Sequence, residues 1–240
     1  MNLKKSLVPF VFLSMLAGCA GEKGREFYQN RIDRISEIEV ILETETKLEG
    51  VENPYKKEGN GFVVGNYVLS RDHVTSGYFL NGEDLDRSLV AEETTSLDGQ
   101  ILYPVIERRE DDVSIFDLSK TPELCKKYCN NLDFDDLMTE DELYLGMRVY
   151  FNASPKGING FYKESHISKL RPEVYKGTRK EDSFMIQDKI ISGTSGKPLC
   201  HNGRIVGVAH YGWNEMGGFG VMDNYIDTIK EYENRKNGED

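Results

Sequence analysis

Apolar residues along this chain fall in short runs separated by Gly, Asn and charged residues, the spacing of strands rather than of long helices. Ile38 to Leu42, rich in β-branched residues, predicts a first strand. Phe62-Val63-Val64 and Tyr67-Val68-Leu69 predict two strands joined at Gly65-Asn66, a two-residue hairpin turn. Leu89 to Ala91, Ile101 to Ile106 and Val113 to Phe116 continue the strand character. Thr121-Pro122-Glu123 opens a short helix, with Thr as cap and Pro in the first turn. Asn130 to Glu142 reads as an acidic connection. A second strand-rich block runs through Met147–Phe151, Phe161–Leu170, Phe184–Gln187, Pro198–Cys200, Ile205–His210 and Phe219–Met222. The period then changes: Tyr225, Ile226, Ile229 and Tyr232 share one helical face, with Asp223 or Asn224 as cap. The pattern as a whole is that of an all-β barrel or sandwich with a C-terminal helix.

The first residues stand apart from this pattern. Lys4 and Lys5 precede an apolar run from Leu7 to Met15 that is shorter than the ~20 residues a spanning helix needs. The run ends in Leu16-Ala17-Gly18-Cys19, which resembles the lipobox of bacterial lipoproteins. That resemblance implies a signal peptide over 1–18, acylation of Cys19 and a polar tether over 19–36. Several acyl chains on Cys19 would anchor the protein stably, since one chain alone holds only marginally. The expected location is the bacterial cell envelope. In a two-membrane cell, Ala20 after the Cys favours the outer membrane.

Charge narrows the partners. The chain of 240 residues carries a net charge of −11, which becomes −13 once Lys4 and Lys5 are removed with the signal. Such a surface repels phosphates, so nucleic acid is excluded as a partner. The acidic cluster Asp133, Asp135, Asp136, Glu140, Asp141 and Glu142 lacks the regular spacing and turn Gly of a calcium loop, and reads as a solvated segment. No Cys pair has zinc-ligand spacing with a His, so no metal and no cofactor are expected. Cys125 and Cys129 lie one helical turn apart, where Cβ atoms are ~5–6 Å apart. A disulfide needs ~3.5–4.5 Å, so a bridge there requires a frayed helix end.

Three stretches carry chemistry. His73 follows directly on the predicted hairpin, Asp112 opens a strand, and Ser195 sits in the Gly-flanked turn Gly193-Thr194-Ser195-Gly196. A Ser hydroxyl becomes a nucleophile when a base takes its proton. Imidazole can do that near neutral pH, and a carboxylate fixes the imidazole tautomer. Glycines around the nucleophile let backbone N–H groups face a developing oxyanion. His166, His201 and His210 are rival bases, Asp111 a rival carboxylate and Ser192 a rival nucleophile, all in less suitable contexts.

The segments resemble those of trypsin-like serine peptidases. The Ser195 turn resembles their Gly-Asp/Asn-Ser-Gly-Gly-Pro-Leu signature. Leu69-Ser70-Arg71-Asp72-His73-Val74 resembles their His segment, and Asp112-Val113-Ser114-Ile115 their Asp segment. Leu145-Gly146-Met147-Arg148-Val149 and Gly217 to Ile226 resemble later pieces in the right order. The region around His210-Tyr211-Gly212 is similar to the glutamyl endopeptidase and exfoliative-toxin group, with Deg-like proteases next nearest.

This resemblance implies two six-stranded antiparallel barrels. The first would span 37–120, a connection 121–142 and the second 143–222, with a helix and tail over 223–240. It implies a serine endopeptidase with His73, Asp112 and Ser195 as triad, and with Gly193 and Ser195 N–H groups as oxyanion hole. Lys189, His210 and Gly212 would line the primary pocket of a peptide substrate, with Lys189 as a buried ammonium favouring Glu or Asp before the scissile bond. Two positions depart from the pattern. Lys197 stands where a small residue is usual and threatens to crowd the turn, and Thr194 removes the acid that pairs with a cut N-terminus in digestive relatives. The alternative is a catalytically inactive, lipid-anchored binding module on the same fold.

Overall fold

The computed structural model describes residues 37–76, 79–80, 83–84, 89–108, 112–153, 162–171, 183–191, 193–213 and 216–238. Cys19, the signal, the tether, Asp111 and Ser192 lie outside these residues. Among the described residues, no helix is long and apolar enough to cross a membrane.

The chain runs through β1 (Glu39–Leu48), β2 (Tyr55–Val64), β3 (Tyr67–Arg71), α1 (Asp72–Thr75), β4 (Phe79–Leu80), β5 (Glu83–Asp84), β6 (Val90–Leu97), β7 (Gln100–Ile101), β8 (Pro104–Arg108) and β9 (Val113–Asp117). Then follow α2 (Pro122–Tyr128), β10 (Arg148–Asn152), β11 (Tyr162–Leu170), β12 (Ser183–Ile186), β13 (Pro198–His201), β14 (Arg204–Trp213), β15 (Met216–Val221) and α3 (Asp223–Asn237). Short 3₁₀ turns over 134–136 and 140–142 punctuate the acidic connection, each closed by a capping box.

Two lobes result. In the first, strands pair antiparallel in the order β7-β6-β1-β2-β3-β9-β8. The strand predicted at Ile38–Leu42 continues to Leu48 because Thr44 and Thr46 keep the inward alternation that Val40 and Leu42 begin. The predicted hairpin forms with Val64 opposite Tyr67, and Gly65 takes the left-handed φ of 58° that the turn requires. The second lobe is a closed barrel, β10-β11-β12-β15-β14-β13. This is the chymotrypsin-like arrangement of two barrels with a C-terminal helix, with one difference in detail. The first lobe does not zip shut. Its edge strands β7 and β8 are separated only by Leu102 and Tyr103, but β7 has two residues and β8 begins with Pro104, which has no N–H to offer a ladder.

The lobes share a core. Phe62, Leu69 and Ile115 of the first sheet pack in one cluster with Tyr150, Ile205 and Val208 of the barrel and with Tyr225, Ile226 and Ile229 of α3. Helix α3 is capped by Met222 rather than Asp223 or Asn224, because Met222 O accepts from the Tyr225 and Ile226 amides. It runs to a left-handed Gly238. Tyr225 is fully buried and its hydroxyl donates to Ser70 O at 2.7 Å, tying the helix to β3. Cys125 and Cys129 are bridged, with Cα atoms 4.7 Å apart. The bridge is possible because Cys129 is the C-cap of α2, with extended ψ of 138°, so the helix has ended there.

Candidate active site

His73 and Asp112 come from the first sheet. β3 ends at Arg71 and the chain turns at once into α1, which carries His73. Asp112 precedes β9, which pairs with β3 so that Arg71 lies opposite Val113. Asp112 adopts a left-handed φ of 52°, which Asp tolerates better than most residues. That conformation turns its carboxylate back onto α1. Oδ1 accepts the His73 amide at 2.8 Å, and Oδ2 lies 2.8 Å from His73 Nδ1. A carboxylate only accepts, so Nδ1 carries the hydrogen of this contact. Lys57 of β2 donates to the carbonyls of His73 and Ser76, fixing α1 from the other side, and burial pulls its ammonium down to about 8.

Two further groups converge on Asp112. Arg71, almost wholly buried, places Nε 3.2 Å from Oδ2, and His210 places Nε2 3.1 Å from the same oxygen. Burial alone would raise the Asp112 pKa, but Arg71, His73 and His210 together hold it well below the usual carboxylate range. His210 moves the other way. Burial first, and then Arg71, push its pKa well below 6.5, which favours the neutral imidazole. Its ring stacks on that of His73, centroids 5.3 Å apart. The His210 side chain reaches Asp112 because β14 bulges there: Ala209 pairs with Phe219 but Tyr211 with Gly218.

Ser195 comes from the second lobe, on the turn between β12 and β13. Its Oγ donates to the His210 carbonyl at 3.1 Å. His210 is thus the common neighbour of Ser195, His73 and Asp112. Gly193 and Gly196 take left-handed φ of 94° and 84°. At Gly196 a Cβ would stand 1.9 Å from Asn60 O, so this close approach of β2 to the turn requires Gly.

His73 and Asp112 are in direct contact, His210 links them to Ser195 through its ring and its carbonyl, and Asn60 joins Ser195 to Gly193. His210 belongs to the same cluster, with its Nε2 3.1 Å from Asp112 Oδ2. The expectation of a buried Lys189 ammonium is not met, since Lys189 is exposed. Its neighbour Ile190 packs on Gly217, which pairs with Gly212, so it does lie beside the expected pocket strands. The rival bases His166 and His201 lie elsewhere in the barrel, opposite and hydrogen-bonded to Arg148 on β10. Lys197 does not crowd the turn. Its stem is buried and its Nζ reaches Glu39 Oε2 at 3.3 Å.

Arg71, Asn60 and Glu39 were not singled out in the sequence. A basic residue two before the His, in a segment otherwise destined for burial, was the available signal for Arg71. Asn60 and Glu39 act across more than a hundred residues, and nothing local marks them.

His73, Asp112 and His210 are also a set of donor types that could hold a metal ion. The Arg71 cation, 3.2 Å from the Asp112 oxygen that both imidazoles approach, opposes a second cation there.

No protein-family model and no curated protein sequence matches the chain. Solved structures do. The chain is similar to a variant of the HtrA-type protease AlgW with a tripeptide, at TM-score 0.60 and 18% identity over 85% of this chain and 62% of that one. It is similar to AlgW itself with a tripeptide (TM-score 0.58, 18% identity, 85% and 62%) and with a decapeptide (TM-score 0.57, 16% identity, 86% and 66%). It therefore spans about 62% of the length of the first of these. At this identity the likeness establishes the fold, a two-lobed chymotrypsin-like architecture shared with HtrA-type proteases.

Proposed function

We propose that the protein is a serine endopeptidase acting through an acyl-enzyme on Ser195. The observation that supports it most is the His73 Nδ1–Asp112 contact of 2.8 Å, held at the seam where Ser195 arrives from the other lobe. With Nδ1–H committed to Asp112, Nε2 of the neutral imidazole is the atom that acts as base. The Ser195 hydroxyl turns from the His210 carbonyl to Nε2, gives up its proton and attacks the peptide carbonyl carbon. The carbonyl π pair moves onto oxygen, which the Gly193 and Ser195 N–H groups receive. Collapse of this intermediate breaks the C–N bond, and the His73 imidazolium returns its proton to the leaving amine. Water then repeats the sequence and frees the acid. Asp112 stabilises the imidazolium, less strongly than a lone carboxylate would, because Arg71 already offsets its charge.

A fluorophosphonate probe tests this reading. Labelling of the wild type and its loss in Ser195→Ala are expected; an unlabelled wild type would sink it. The second reading, an inactive binding module, is favoured by one observation: the Ser195 hydroxyl is engaged with the His210 carbonyl. Absence of labelling would support that reading.

For specificity, His210 gives no support to an acidic preference, since its Nε2 is taken by Asp112. The exposed Lys189 remains the candidate cation for Glu or Asp at that subsite, and equal cleavage after Glu, Gln and Leu would remove it. We also propose a lipid anchor at Cys19, from Leu16-Ala17-Gly18-Cys19. Cys19→Ala should leave the membrane pellet on fractionation, and unchanged pelleting would refute the anchor.

A further inference from the structure

The nucleophile turn is held from outside its own lobe. Asn60, half-buried on β2, directs its side-chain NH₂ at two carbonyls of the turn, Gly193 O at 2.8 Å and Ser195 O at 3.0 Å. Asn60 is itself fixed, because Ser70 Oγ donates to its carbonyl at 2.6 Å. Glu39, on β1, reaches the far end of the same turn. Its Oε2 accepts from Lys197 Nζ at 3.3 Å and from Asn152 Nδ2 at 2.7 Å, all three side chains being largely buried.

Peptide planarity gives these contacts a consequence. A peptide unit is rigid, so pinning its carbonyl also aims the N–H at its other end. In the unit joining Gly193 to Thr194, Asn60 holds the oxygen and the Thr194 N–H donates to Ile191 O at 3.1 Å. In the unit joining Ser195 to Gly196, Asn60 holds the oxygen and the Gly196 N–H donates to Ala209 O at 2.9 Å. Between them lies the unit that carries the Ser195 N–H. Its oxygen, on Thr194, accepts from the Lys197 amide at 3.1 Å, and the Lys197 side chain is tied to Glu39. Two of three successive peptide planes are thereby held from β2, and the middle one by the amide of Lys197, whose side chain is anchored to β1. In a left-handed Gly turn, with little intrinsic preference between backbone states, such external contacts decide which state is populated.

We infer that Asn60 and the Glu39–Lys197 pair are positioning residues, a clamp from the first lobe that keeps the 193–197 turn in the form presenting the Ser195 N–H to substrate. This rests on the reading of Ser195 as nucleophile for its catalytic meaning, but not for its structural content. It gives Lys197 a purpose that the sequence pattern alone does not: the residue is a buried anchor rather than an obstruction. It also means that the turn is set within the continuous chain, with no need for a newly cut N-terminus, since Thr194 has replaced the acid such a terminus would bind.

Two measurements test it, on the full chain. The first is amide hydrogen exchange, which needs no activity. In Asn60→Asp, a near-isosteric change that removes both donors and sets a carboxylate against two carbonyls, the Thr194, Gly196 and Lys197 amides should exchange at least about tenfold faster, while β14 and β15 keep their protection. Lys197→Met should do the same and Lys197→Arg should restore protection. Unchanged exchange at these amides in Asn60→Asp overturns the clamp. The second is fluorophosphonate inactivation. The maximal rate should fall about tenfold or more in Asn60→Asp and Lys197→Met, with little change in the concentration giving half that rate, and Lys197→Arg should recover most of it. Wild-type rates in a labelled Asn60→Asp overturn the catalytic role of the clamp. A wild type that takes no label removes the nucleophile reading instead, and the exchange measurement then decides the clamp alone.

Discussion

Replacing Arg71 with Met tests the electrostatic account of the site most directly. The guanidinium is buried, its Nε is 3.2 Å from Asp112 Oδ2, and a Cβ on Gly220 would stand 2.4 Å from its Nη1. Two unit charges at that distance attract by about 5 kcal/mol at an effective dielectric of about 20. Met removes this attraction and also the cost of burying the cation, while filling much of the same volume. Breaking a buried pair by removing one partner typically costs ~3–5 kcal/mol. Asp112 keeps its hydrogen bonds to the His73 amide and His73 Nδ1 and its contact with His210 Nε2, so the expected loss is at the lower end, about 3 kcal/mol. Urea unfolding at neutral pH, with an unchanged slope, would read this as a lower midpoint. The acid side supplies the sign. A carboxyl whose folded pKa is depressed contributes stability that is complete above its unfolded value of about 3.9 and lost as pH falls through the folded value. Without Arg71 the folded value rises toward the unfolded one, so this contribution should be smaller in Arg71→Met and its loss complete at a higher pH than in the wild type. A double-mutant cycle with Asp112→Asn closes the test, since contacting residues should couple by about 1–3 kcal/mol. Additive losses, or a loss under about 1 kcal/mol for Arg71→Met, would refute the view that this pair holds the Asp112 charge.

Two further substitutions probe the surroundings. Gly196→Ala places a Cβ 1.9 Å from Asn60 O at a φ of 84°, and should destabilise the protein by about 3 kcal/mol or more and abolish probe labelling, where a loss below about 1 kcal/mol in urea would contradict the close approach. Lys57 has a folded pKa lowered to about 8, so the unfolded chain holds its proton to higher pH, and wild-type stability should rise relative to Lys57→Met between about pH 8 and 10, a flat difference over that window refuting the burial.

How much of this was legible beforehand depended on how local each signal was. The β2–β3 hairpin, the β9 strand and the α3 face are written in neighbouring residues, through period and turn chemistry, and the structure has them where the pattern puts them. The His73, Asp112 and Ser195 segments each carry a local motif, and the structure sets the first two in contact. The placement of His210 was not legible, because a β-bulge redirects its side chain, and a bulge depends on pairing with β15 rather than on the run of residues. The exposure of Lys189 was hidden for a related reason. Counting back from Ser195 places its backbone, but not whether the side chain turns inward, and Lys rarely buries without a partner. Lys197 shows the converse: it could be buried because Glu39, 158 positions away, supplies the partner.

The long-range contacts share one direction, and that suggests why the site sits where it does. His73 and Asp112 belong to the first sheet and Ser195 to the barrel, so under the proposed function neither lobe holds the chemistry alone. A nucleophile misplaced by about 1 Å costs on the order of a hundredfold in rate, so that function requires a stiff seam. It is crossed by Asn60 to the nucleophile turn, by Glu39 to Lys197 and Asn152, and by Tyr225 to Ser70. All but Tyr225 arise from β1 or β2, and Tyr225 returns to β3. Those three strands are adjacent in the sheet order, and β9, which leads from Asp112, pairs with β3. The same strands that carry His73 and pair with the Asp112 segment thus also reach across to fix Ser195. A displacement of the barrel against this sheet must break a buried ion pair, several hydrogen bonds and part of the shared core before it can separate His73 from Ser195. The open edge of the first lobe, at β7 and β8, lies at the far ends of that strand order from β2, so incomplete closure there leaves the catalytic side of the sheet fully paired.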